Sequence, residues 1–437
     1  MKALSSKSNN LSGIVKCPGD KSISQRSVII GSLLNEDIRI DGFLFAEDPL
    51  STLNSLKKLG RDIQIDGDII SIKNSKKNHS SRKVECNLGN SGTGLRLLSG
   101  LIAGEGINAE LSGDDSLIKR PMNRIIKPLN KMGANIVSNN GFAPLHFSKS
   151  ELVDEFDYEM PIASAQLKSC LLLAAITSKM NLSLYERSIS RDHTERMLKY
   201  FGADIRTEKV DNGQNILLKS VGSLKPKDYS IVGDFSSAAF LIIAALITRD
   251  SQILIRNVGI NETRSSLINI LKRMGANIKI LNKEICCGEE VADIEVFSSD
   301  LIGIEIEERD IPKIIDEIPI LSIAASFADG KTLITGASEL RFKESDRLKA
   351  IEKGLDKIGI DYDSFEDGLS INGNSNHDLM EDICIDSYGD HRIAMSFLIA
   401  GLRLNANINV NDCKNIDTSF PNFFECFASI GANIKRI

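Results

Sequence analysis

A six-residue phrase recurs six times along this chain and limits the architectures that the chain can adopt. In every copy a glycine separates a stretch of helical periodicity from a short alternating stretch. The copies are KLGRDI at 58–63, KMGANI at 131–136, YFGADI at 200–205, RMGANI at 273–278, KIGIDY at 357–362 and SIGANI at 429–434. Similarity at a near-constant period is the signature of an internally repeated fold. We therefore interpret the chain as six copies of one structural unit.

Each phrase predicts where a helix ends and a strand begins. The stretch TRSSLINILKRMG at 263–275 has apolar residues at helical spacing. A glycine after the last helical turn adopts the left-handed conformation at low cost. The stretch ANIKI at 276–280 then alternates apolar and polar residues, which is typical of a strand.

Each repeat also contains a second helical stretch that is apolar on most faces, which indicates a buried helix. These stretches are ISQRSVIIGSLL (23–34), TGLRLLSGLIAG (93–104), AQLKSCLLLAAIT (165–177), SAAFLIIAALIT (237–248), PILSIAASFAD (319–329) and HRIAMSFLIAGL (391–402). Each repeat is therefore predicted to be a βαβαββ unit, in which the first helix is buried and the second is amphipathic. Six units indicate an α/β (α+β) fold with two pseudosymmetric lobes of three units. One continuous solenoid is disfavoured, because its repeats would be only roughly 20–45 residues long.

Composition argues against several classes of protein. The formal net charge is −6, so the basic excess usual in proteins that bind duplex nucleic acid is lacking. No CxxC or HExxH pattern occurs, and we expect no metal site. Eight scattered cysteines are typical of reduced thiols in a cytosol. The first residues lack a signal-peptide core and no long apolar run occurs, so we expect a cytoplasmic protein that does not span a membrane.

Polar and charged residues collect at the predicted starts of the buried helices. The motifs are GDKSISQR (19–26), GNSGTGLR (89–96), SAQLKS (164–169), GDFSSAAF (233–240), IDEIPIL (315–321) and GDHRIAM (389–395). A single Ser, Thr, Asn or Asp at such a place is usually a plain helix cap. A helix N-terminus also has free N–H groups and a partial positive charge, which favour anions. Six such ends that converge would form a site for an anionic ligand.

Three further phrases supply cations. Arg120 lies in DDSLIKRPM (114–122), Arg191 in SRDHTERM (190–197), and Arg341, Lys343 and Arg347 in ELRFKESDR (339–347). Each phrase alone is more often a solvated face, and the basic stretch at 73–83 is predicted to be a solvated loop. Arginine pairs well with carboxylate and phosphate oxygens. The GNSGTG sequence does not match the GxxxxGK[ST] loop, so a P-loop ATPase is not indicated.

From about residue 12 to the C-terminus the chain resembles the 5-enolpyruvylshikimate-3-phosphate synthase family. The motifs that carry the resemblance, in family order, are GDKSISQR, GNSGTGLR, SLIKRPM, SAQLKS, SRDHTERM, DEIPIL, KESDR and DHRIAM. The resemblance implies a two-lobed inside-out α/β barrel, with three βαβαββ units in each lobe. One lobe would combine 1–19 with 232–437 and carry the catalytic carboxylates and two arginines for phosphoenolpyruvate. The inserted lobe, 20–231, would carry most of the shikimate 3-phosphate site.

The resemblance also implies a reaction. The enolpyruvyl (carboxyvinyl) group of phosphoenolpyruvate would pass to the 5-hydroxyl of shikimate 3-phosphate with release of phosphate. This is a step of the shikimate pathway towards chorismate and the aromatic amino acids. The resemblance implies a cytoplasmic, monomeric transferase without metal or organic cofactor, which binds neither nucleic acid nor membrane. Such enzymes are the target of glyphosate.

Site residues follow from the same resemblance, motif by motif. The shikimate 3-phosphate site would comprise Lys21, Ser22, Arg26, Ser164, Ala165, Gln166, Arg191, Asp316 and Lys343. The phosphoenolpyruvate site would comprise Lys21, Asn90, Gly92, Thr93, Arg120, Gln166, Arg347 and Arg392, with Ser91 beside them. This number of cations suits two phosphates and a carboxylate.

The chemistry needs one proton delivered to the methylene of phosphoenolpyruvate and one removed from the 5-hydroxyl. Asp316 is the candidate base, unless it only caps the helix at 319–329. Glu344 is the candidate acid, with Lys343 and Lys21 as rivals, and a carboxyl acting as an acid at neutral pH needs a raised pKa.

Two alternatives remain open from the sequence. A sister transferase that acts on UDP-N-acetylglucosamine would show Lys-Asn where this chain has Lys21-Ser22, and a catalytic Cys where it has GDDSLIKRP. A non-catalytic protein could use the same scaffold to bind a phosphorylated metabolite. The chain departs from some family members at Thr418, where they have a cation near the phrase DTSFPNF.

Gly92 bears on glyphosate, which competes with phosphoenolpyruvate in sensitive members. Tolerant members of a related subgroup have Ala at the matching position, and its Cβ would crowd the inhibitor. With Gly92 we expect inhibition. Leu97 stands where other sensitive members have Pro, and a small shift of the helix there is a separate route to tolerance.

Overall fold

The computed structural model describes residues 1–74, 83–219 and 224–437. Most of the basic stretch at 73–83, predicted to be a solvated loop, lies outside the described residues. The helices within them are α1 (Lys21–Gly31), α2 (Glu47–Lys58), α3 (Gly92–Glu105), α4 (Asn123–Lys131), α5 (Ala165–Ser178), α6 (His193–Tyr200), α7 (Phe235–Ile247), α8 (Ser266–Arg273), α9 (Ile311–Ile314), α10 (Ile318–Ser326), α11 (Arg347–Ile358), α12 (His391–Ala400) and α13 (Phe423–Ser429). In this part of the chain, no helix combines the length and the hydropathy needed to cross a bilayer.

The strands alternate with these helices, which confirms the α/β class. They are β1 (Ala3–Ser5), β2 (Ser12–Lys16), β3 (Ile38–Asp41), β4 (Asp62–Asp66), β5 (Ile69–Lys73), β6 (Val84–Asn87), β7 (Ala109–Ser112), β8 (Asn135–Asn139), β9 (Phe142–Ser148), β10 (Glu155–Glu159), β11 (Asn181–Glu186), β12 (Ile205–Val210), β13 (Gly213–Leu218), β14 (Tyr229–Ser230), β15 (Gln252–Gly259), β16 (Asn277–Cys286), β17 (Glu289–Phe297), β18 (Gly330–Ile334), β19 (Asp361–Phe365), β20 (Gly368–Gly373), β21 (Ile383–Asp386), β22 (Ile408–Asn411) and β23 (Ile434–Arg436).

The sheet formed by β6 to β9 shows the repeat in its simplest form. Its strand order is β6-β7-β9-β8, with α3 between β6 and β7 and α4 between β7 and β8. β6 is parallel to β7, and β9 is antiparallel to both β7 and β8. The same order recurs in β10-β11-β13-β12. The predicted βαβαββ unit is therefore correct for these two repeats. In the fifth repeat the sheet β18-β20-β19 has three strands, and the expected first strand is reduced to isolated bridges of Ile302 with Asp329 and of Glu305 with Leu333, so the prediction is wrong there.

All six glycines of the repeated phrase have positive φ. The angles at residues 60, 133, 202, 275, 359 and 431 are 84°, 106°, 85°, 95°, 73° and 86°. Each glycine follows the end of a helix and precedes a strand, as at α8 and β16. The left-handed conformation explains why glycine recurs there, because a Cβ would be strained at these angles.

Two repeats exchange their first strands. β2 precedes α1 in sequence but pairs with β15, and β14 precedes α7 but pairs with β3. The sixth repeat is completed from the N-terminus, because β1 lies between β22 and β23. Sequence periodicity does not contain this information.

The chain divides into two compact units. Unit 1 comprises Met1–Pro18, Val232–Ile285 and Glu290–Ile437, and unit 2 comprises Gly19–Ile231 and Cys286–Glu289. In unit 1 the buried helices α7, α10 and α12 pack together. In unit 2 α3 packs on α5. The two backbones can approach closely because residue 100 is a glycine, and a Cβ there would lie 2.0 Å from the Cys170 carbonyl oxygen. This approach sets the first turns of α3 and α5 side by side.

Candidate active site

In unit 2 three buried helices begin with a capping side chain and then present predicted site residues. The side-chain oxygens of Asp20, Ser91 and Ser164 each accept a hydrogen bond from the backbone N–H three residues on, at 2.8, 3.1 and 3.3 Å. The helix-cap interpretation is correct for all three. Ser91 and Ser164 therefore fix the starts of α3 and α5, whatever else they contact.

The first turn of α1 carries Lys21 and Ser22. The Nζ of Lys21 lies 3.2 Å from Oδ2 of Asp48 in α2, and the two side chains are 16% and 13% exposed. Asp48 thus holds the ammonium in place while leaving part of it accessible. Ser22 is half-buried, and its carbonyl oxygen accepts a hydrogen bond from Arg26 at 2.9 Å.

The side chain of Arg26 is buried and bonded to neighbouring helices. Its Nε donates to Thr194 Oγ1 at 2.8 Å, and its Nη2 donates to Ser169 Oγ at 2.9 Å. Thr194 lies in α6 and Ser169 in α5, so the guanidinium joins three helices. Its predicted contact with shikimate 3-phosphate stays a prediction.

Gln166 connects α5 to α3. Its Nε2 donates to Thr93 Oγ1 at 2.9 Å, and its Oε1 accepts from Arg96 Nη1 at 2.8 Å. Arg96 Nη1 also donates to the Gly92 carbonyl oxygen at 3.3 Å. Ala165 opens α5 beside Gln166 and is half-buried. The structure therefore brings together five residues of two predicted motifs.

Arg120 faces the same end of α3. Its guanidinium donates to the side-chain oxygen of Asn90 and, at 3.1 Å, to Ser116 Oγ. Asn90 in turn donates to Asp114 Oδ2 at 2.8 Å. A Cβ placed on Gly92 would lie 3.2 Å from Arg120 Nη1 and 2.9 Å from the nearest nitrogen of Arg96. Gly92 thus leaves room for two guanidinium groups.

Arg191 lies in the loop that precedes α6, half-buried, next to a buried ion cluster. Lys168 Nζ lies 2.8 Å from Glu186 Oε1 and 2.7 Å from Glu195 Oε1, and it donates to the Ser190 carbonyl oxygen at 3.2 Å. Burial lowers the pKa of Lys168, but the two carboxylates outweigh burial and raise it. The cluster ties the residue before Arg191 to α5.

In unit 1 Asp316 lies among three cations. Its Oδ1 is 3.4 Å from Arg347 Nη1 and 3.6 Å from Lys343 Nζ, and its Oδ2 is 3.9 Å from Arg392 Nη2. The cap position of α10 is Glu317, which makes no side-chain capping bond. The alternative that Asp316 only caps this helix is therefore wrong.

Arg347 is 1% exposed and contacts three carboxylates. Its Nε donates to Asp390 Oδ2 at 2.8 Å, its Nη2 donates to Glu344 Oε2, and its Nη1 faces Asp316. Burial lowers the pKa of Arg347, but Asp390, Glu344 and Asp316 together raise it. The guanidinium is permanently charged, so an anionic ligand that displaces Glu344 would meet a full positive charge.

Arg392 is held by the start of α12 and by α7. Asp390 Oδ1 accepts from its backbone N–H at 2.9 Å, and its Nη1 donates to the Asp316 carbonyl oxygen at 2.9 Å. Its Nη2 lies 3.4 Å from Ser236 Oγ, which also contacts the buried Glu317 and, at 3.0 Å, Arg264 Nη2. All five predicted site residues of unit 1 are therefore linked in one cluster.

Sequence reasoning missed the residues that hold this machinery. The motifs above include Arg96, Ser236 and Asp390, but no role was predicted for them. Each is a polar residue at the start of an apolar helix, and this pattern could have identified them. Asp48 had no such signal, because an acidic residue before a proline usually marks an ordinary helix start. Thr418 is buried and donates to the Asn415 carbonyl oxygen at 2.7 Å.

Comparison with known proteins identifies the family. The family model for EPSP synthase (3-phosphoshikimate 1-carboxyvinyltransferase) matches residues 5–427. The 3-phosphoshikimate 1-carboxyvinyltransferase of Petrotoga mobilis is 45% identical over 425 residues, which is 96% of this chain and 97% of that protein. The protein of the same name from Ruthia magnifica is 45% identical over 431 residues, 98% of each chain.

Solved structures agree in fold. An EPSP synthase from Acinetobacter baumannii superposes with a TM-score of 0.86 and 38% identity over 99% of both chains. The enolpyruvyl transferase NikO from Streptomyces tendae superposes with a TM-score of 0.79 at 18% identity, over 99% of this chain and 98% of that one, and this likeness concerns the fold alone.

Proposed function

The chain belongs to the EPSP synthase (3-phosphoshikimate 1-carboxyvinyltransferase) family, and on that premise we propose that the residues described above perform that family's reaction. The enzyme transfers the enolpyruvyl group of phosphoenolpyruvate to the 5-hydroxyl of shikimate 3-phosphate and releases phosphate, in aromatic amino acid biosynthesis. The observation that carries the assignment of residues is the contact of Asp316 with Lys343, Arg347 and Arg392.

We assign shikimate 3-phosphate mainly to the lobe 20–231. Ser22, Ser164 and Ala165 stand at helix starts whose backbone N–H groups favour an anion. Arg191 and Arg26 supply charge, with Arg26 already anchored on Thr194. These donors suit a phosphate and a ring carboxylate. The family resemblance assigns Lys343 and Asp316 to the same substrate.

Phosphoenolpyruvate carries a phosphate and a carboxylate, and we assign three arginines to it. Arg120 is set by Asn90 and lies beside Gly92 and Thr93. Arg347 and Arg392 are fixed through Asp390, which contacts both. Arginines whose positions are set before binding lose little rotational freedom, and this favours tight recognition of two anionic groups.

The reaction forms a bond between the 5-oxygen and C2 of phosphoenolpyruvate and breaks the bond from C2 to the phosphate oxygen. A proton leaves the 5-hydroxyl, and we assign it to Asp316. Another proton is added to the C3 methylene and is given up again when the double bond returns. We assign this transfer to Glu344, with Lys21 and Lys343 as alternative carriers. An incoming anion would compete with Glu344 for Arg347 and so release the carboxyl from that contact.

Phosphate release tests the assignment of function. Purified protein is mixed with phosphoenolpyruvate and either shikimate 3-phosphate or UDP-N-acetylglucosamine. We expect phosphate and the enolpyruvyl product only with shikimate 3-phosphate. Turnover with UDP-N-acetylglucosamine would instead indicate the activity of the sister transferase. No turnover with either acceptor would favour a non-catalytic binding protein.

We also propose that the enzyme works as a cytoplasmic monomer without metal or organic cofactor, nucleic acid or membrane. Eight free cysteines suit a reducing compartment. The net charge of −6 disfavours nucleic acid, and one chain supplies every assigned residue. Light scattering at assay concentration and activity after treatment with a chelator test these points.

A further inference from the structure

The tip of one hairpin carries two adjacent thiols that the reaction does not use. β16 and β17 are joined by the turn Cys287–Gly288, whose φ angles are 50° and 87°. Two positive φ angles are what a two-residue hairpin turn requires. Residues Cys286–Glu289 belong to unit 2, and both cysteines are half-buried thiols outside any disulfide. The thiols are therefore close to each other and within reach of a small molecule.

The surroundings of Cys287 favour the thiolate. The Cys286 thiol, which donates to the Ser230 carbonyl oxygen at 3.7 Å, adjoins it, and the Ser230 N–H donates to its Sγ at 3.3 Å. The Tyr200 hydroxyl, which donates to the Asp228 carbonyl oxygen at 2.9 Å, also interacts with it. These groups lower the pKa of Cys287 to about 6, against burial and the charge of Asp41, which raise it. The thiolate is the reactive form of cysteine.

Five other cysteines of the chain show the opposite environment. Burial raises the pKa of each of them, namely Cys17, Cys86, Cys170, Cys413 and Cys426. Cys384 in β21 is exposed and accepts a hydrogen bond from Asn411 Nδ2 at 3.0 Å. Cys384 has no adjacent thiol, which makes it an internal reference for ordinary surface reactivity.

The hairpin tip holds α6, the helix beside the proposed shikimate 3-phosphate residues. Glu289 Oε1 lies 2.8 Å from His193 Nδ1, and both side chains are 2% exposed. The Gly288 carbonyl oxygen accepts a hydrogen bond from Arg196 at 3.4 Å. The next residue of α6, Thr194, accepts the hydrogen bond from Arg26 Nε. The hairpin tip is thus connected to Arg26 through the Glu289–His193 contact and the Thr194–Arg26 hydrogen bond.

We propose that Cys286 and Cys287 form a peroxide-sensitive thiol site, and that their oxidation to a disulfide weakens the binding of shikimate 3-phosphate. The Cys287 thiolate attacks one oxygen of hydrogen peroxide, the O–O bond breaks, and the hydroxide released takes a proton to form water. The Cys286 thiol then attacks the resulting sulfenic acid. A sulfur–sulfur bond forms, and the hydroxyl leaves as water with the thiol proton. The two thiols are oxidised to one disulfide, and the peroxide is reduced to two waters.

The effect on binding rests on the proposed function and on the geometry of the turn. Neighbouring Cα atoms are about 3.8 Å apart, less than the roughly 4.4–6.8 Å that a disulfide usually spans, so a Cys286–Cys287 bond strains the turn. Gly288 and Glu289 follow directly, so their contacts with Arg196 and His193 shift. The expected result is a looser α6 and a less well placed Arg26.

The thiol site is tested on the full-length protein without any assay of activity. Reduced protein is treated with hydrogen peroxide, digested and analysed by mass spectrometry. We expect a Cys286–Cys287 disulfide to form while Cys384 remains largely reduced. In Cys286→Ser the reaction should stop at a sulfenic acid on Cys287, trapped by dimedone. Oxidation of Cys384 at the same rate, or a sulfenic acid absent from Cys286→Ser, would overturn the proposal.

The consequence for binding is measured by titrating shikimate 3-phosphate into reduced and oxidised protein. We expect oxidation to weaken affinity on the order of fivefold, the size expected for one lost hydrogen bond, and reductant to restore it. Cys287→Ser should bind equally before and after peroxide, whereas Cys384→Ser should respond like wild type. Equal affinity of both forms would overturn the coupling. Failure of reduced wild type to bind shikimate 3-phosphate would instead overturn the proposed function.

Discussion

Arg347 donates from its buried Nε to Oδ2 of Asp390 at 2.8 Å, while the other oxygen of the same carboxylate accepts the backbone N–H of Arg392. One aspartate therefore positions both arginines assigned to phosphoenolpyruvate in unit 1. Asp390 is fully buried, and Ser345 Oγ donates to the same Oδ2 at 3.2 Å, so its charge is held by direct contacts rather than by solvent.

Asp390→Asn should raise the KM for phosphoenolpyruvate on the order of tenfold, because Arg347 Nε loses the charged acceptor that positions it, while Glu344 and Asp316 keep their contacts and asparagine can still cap Arg392. Removing one partner of a buried pair should also lower the free energy of unfolding by about 3–5 kcal/mol. Steady-state kinetics and urea unfolding measure the two effects. Asp363→Asn is the control, since its exposed pair with Lys331 should contribute about 0–1 kcal/mol. An unchanged KM in Asp390→Asn would contradict the positioning role.

The transfer of the proton is tested at Glu344. Glu344→Gln keeps the size of the side chain but cannot exchange the same proton, so kcat should fall by a factor on the order of 10²–10⁴. Binding of shikimate 3-phosphate should persist. Glu339→Gln is the matched control, because Glu339 contacts Lys343 at 3.8 Å and its side chain is 40% exposed against 22% for Glu344. A near-normal kcat in Glu344→Gln would pass the role to Lys21 or Lys343.

Ser236 offers a subtler test, because its hydroxyl touches Glu317, Arg264 and Arg392 without being assigned to substrate. Ser236→Ala leaves buried Glu317 short of a hydrogen bond, which costs about 1–3 kcal/mol. We expect the KM for phosphoenolpyruvate to rise more than that for shikimate 3-phosphate. Ser322→Ala is the control, since its buried hydroxyl donates to its own helix at Ile318. Equal changes in the two KM values would indicate a general structural role.

Much of the fold could be predicted because it depends on local chemistry. The repeated glycines need a left-handed conformation, and apolar stretches such as α7 have to be buried, so both are written in short windows of sequence. The pairing partner of each strand cannot be predicted from such short windows. β2 and β14 exchange sheets, which depends on contacts far apart in the chain rather than on periodicity.

The site was predictable to the same extent. Residues inside the motifs, such as Gln166 and Arg347, could be named because their motifs resemble a family. The residues that hold these side chains in place could not be named from the sequence. Asp48 and Glu317, for example, act through contacts with other helices, and sequence motifs do not show such contacts. The sequence also did not distinguish Arg26 as a link between helices from Arg26 as a surface ligand, since burial decides this.

Lys168 predicts an effect of pH on stability. Its pKa is raised in the folded state, so its contribution is complete below its unfolded pKa and is lost only as pH rises through the folded value. Lys168→Met leaves buried Glu186 and Glu195 without a cation. The variant should lose about 3–5 kcal/mol near neutral pH. The loss should be smaller at acid pH, because burial raises the pKa of Glu195 and its protonated form needs no cation. Urea unfolding across pH measures this, with exposed Lys199→Met as control. A loss independent of pH would contradict it.

Glyphosate inhibition depends on the space beside Gly92. A Cβ there would lie 2.9 Å from Arg96 Nη1 and 3.2 Å from Arg120 Nη1, so both guanidinium groups would have to move. Arg120 is assigned to phosphoenolpyruvate, and glyphosate is the longer molecule, so the loss of space should affect the inhibitor more than the substrate. We expect wild type to be inhibited competitively with phosphoenolpyruvate. Gly92→Ala should raise the inhibition constant by a larger factor than the KM.

The measurement is a glyphosate titration of both proteins at several phosphoenolpyruvate concentrations. Leu97 provides the rival explanation, because it is fully buried in α3 and could shift that helix without any change at residue 92. Leu97→Pro tests this explanation, since proline at the sixth residue of α3 removes the hydrogen bond to the Thr93 carbonyl oxygen and bends the start of the helix without adding an atom at residue 92. Tolerance in wild type that Leu97→Pro abolishes would locate the cause at Leu97. Equal inhibition of wild type and Gly92→Ala would show that Arg96 and Arg120 absorb the added methyl, and the steric argument would be wrong.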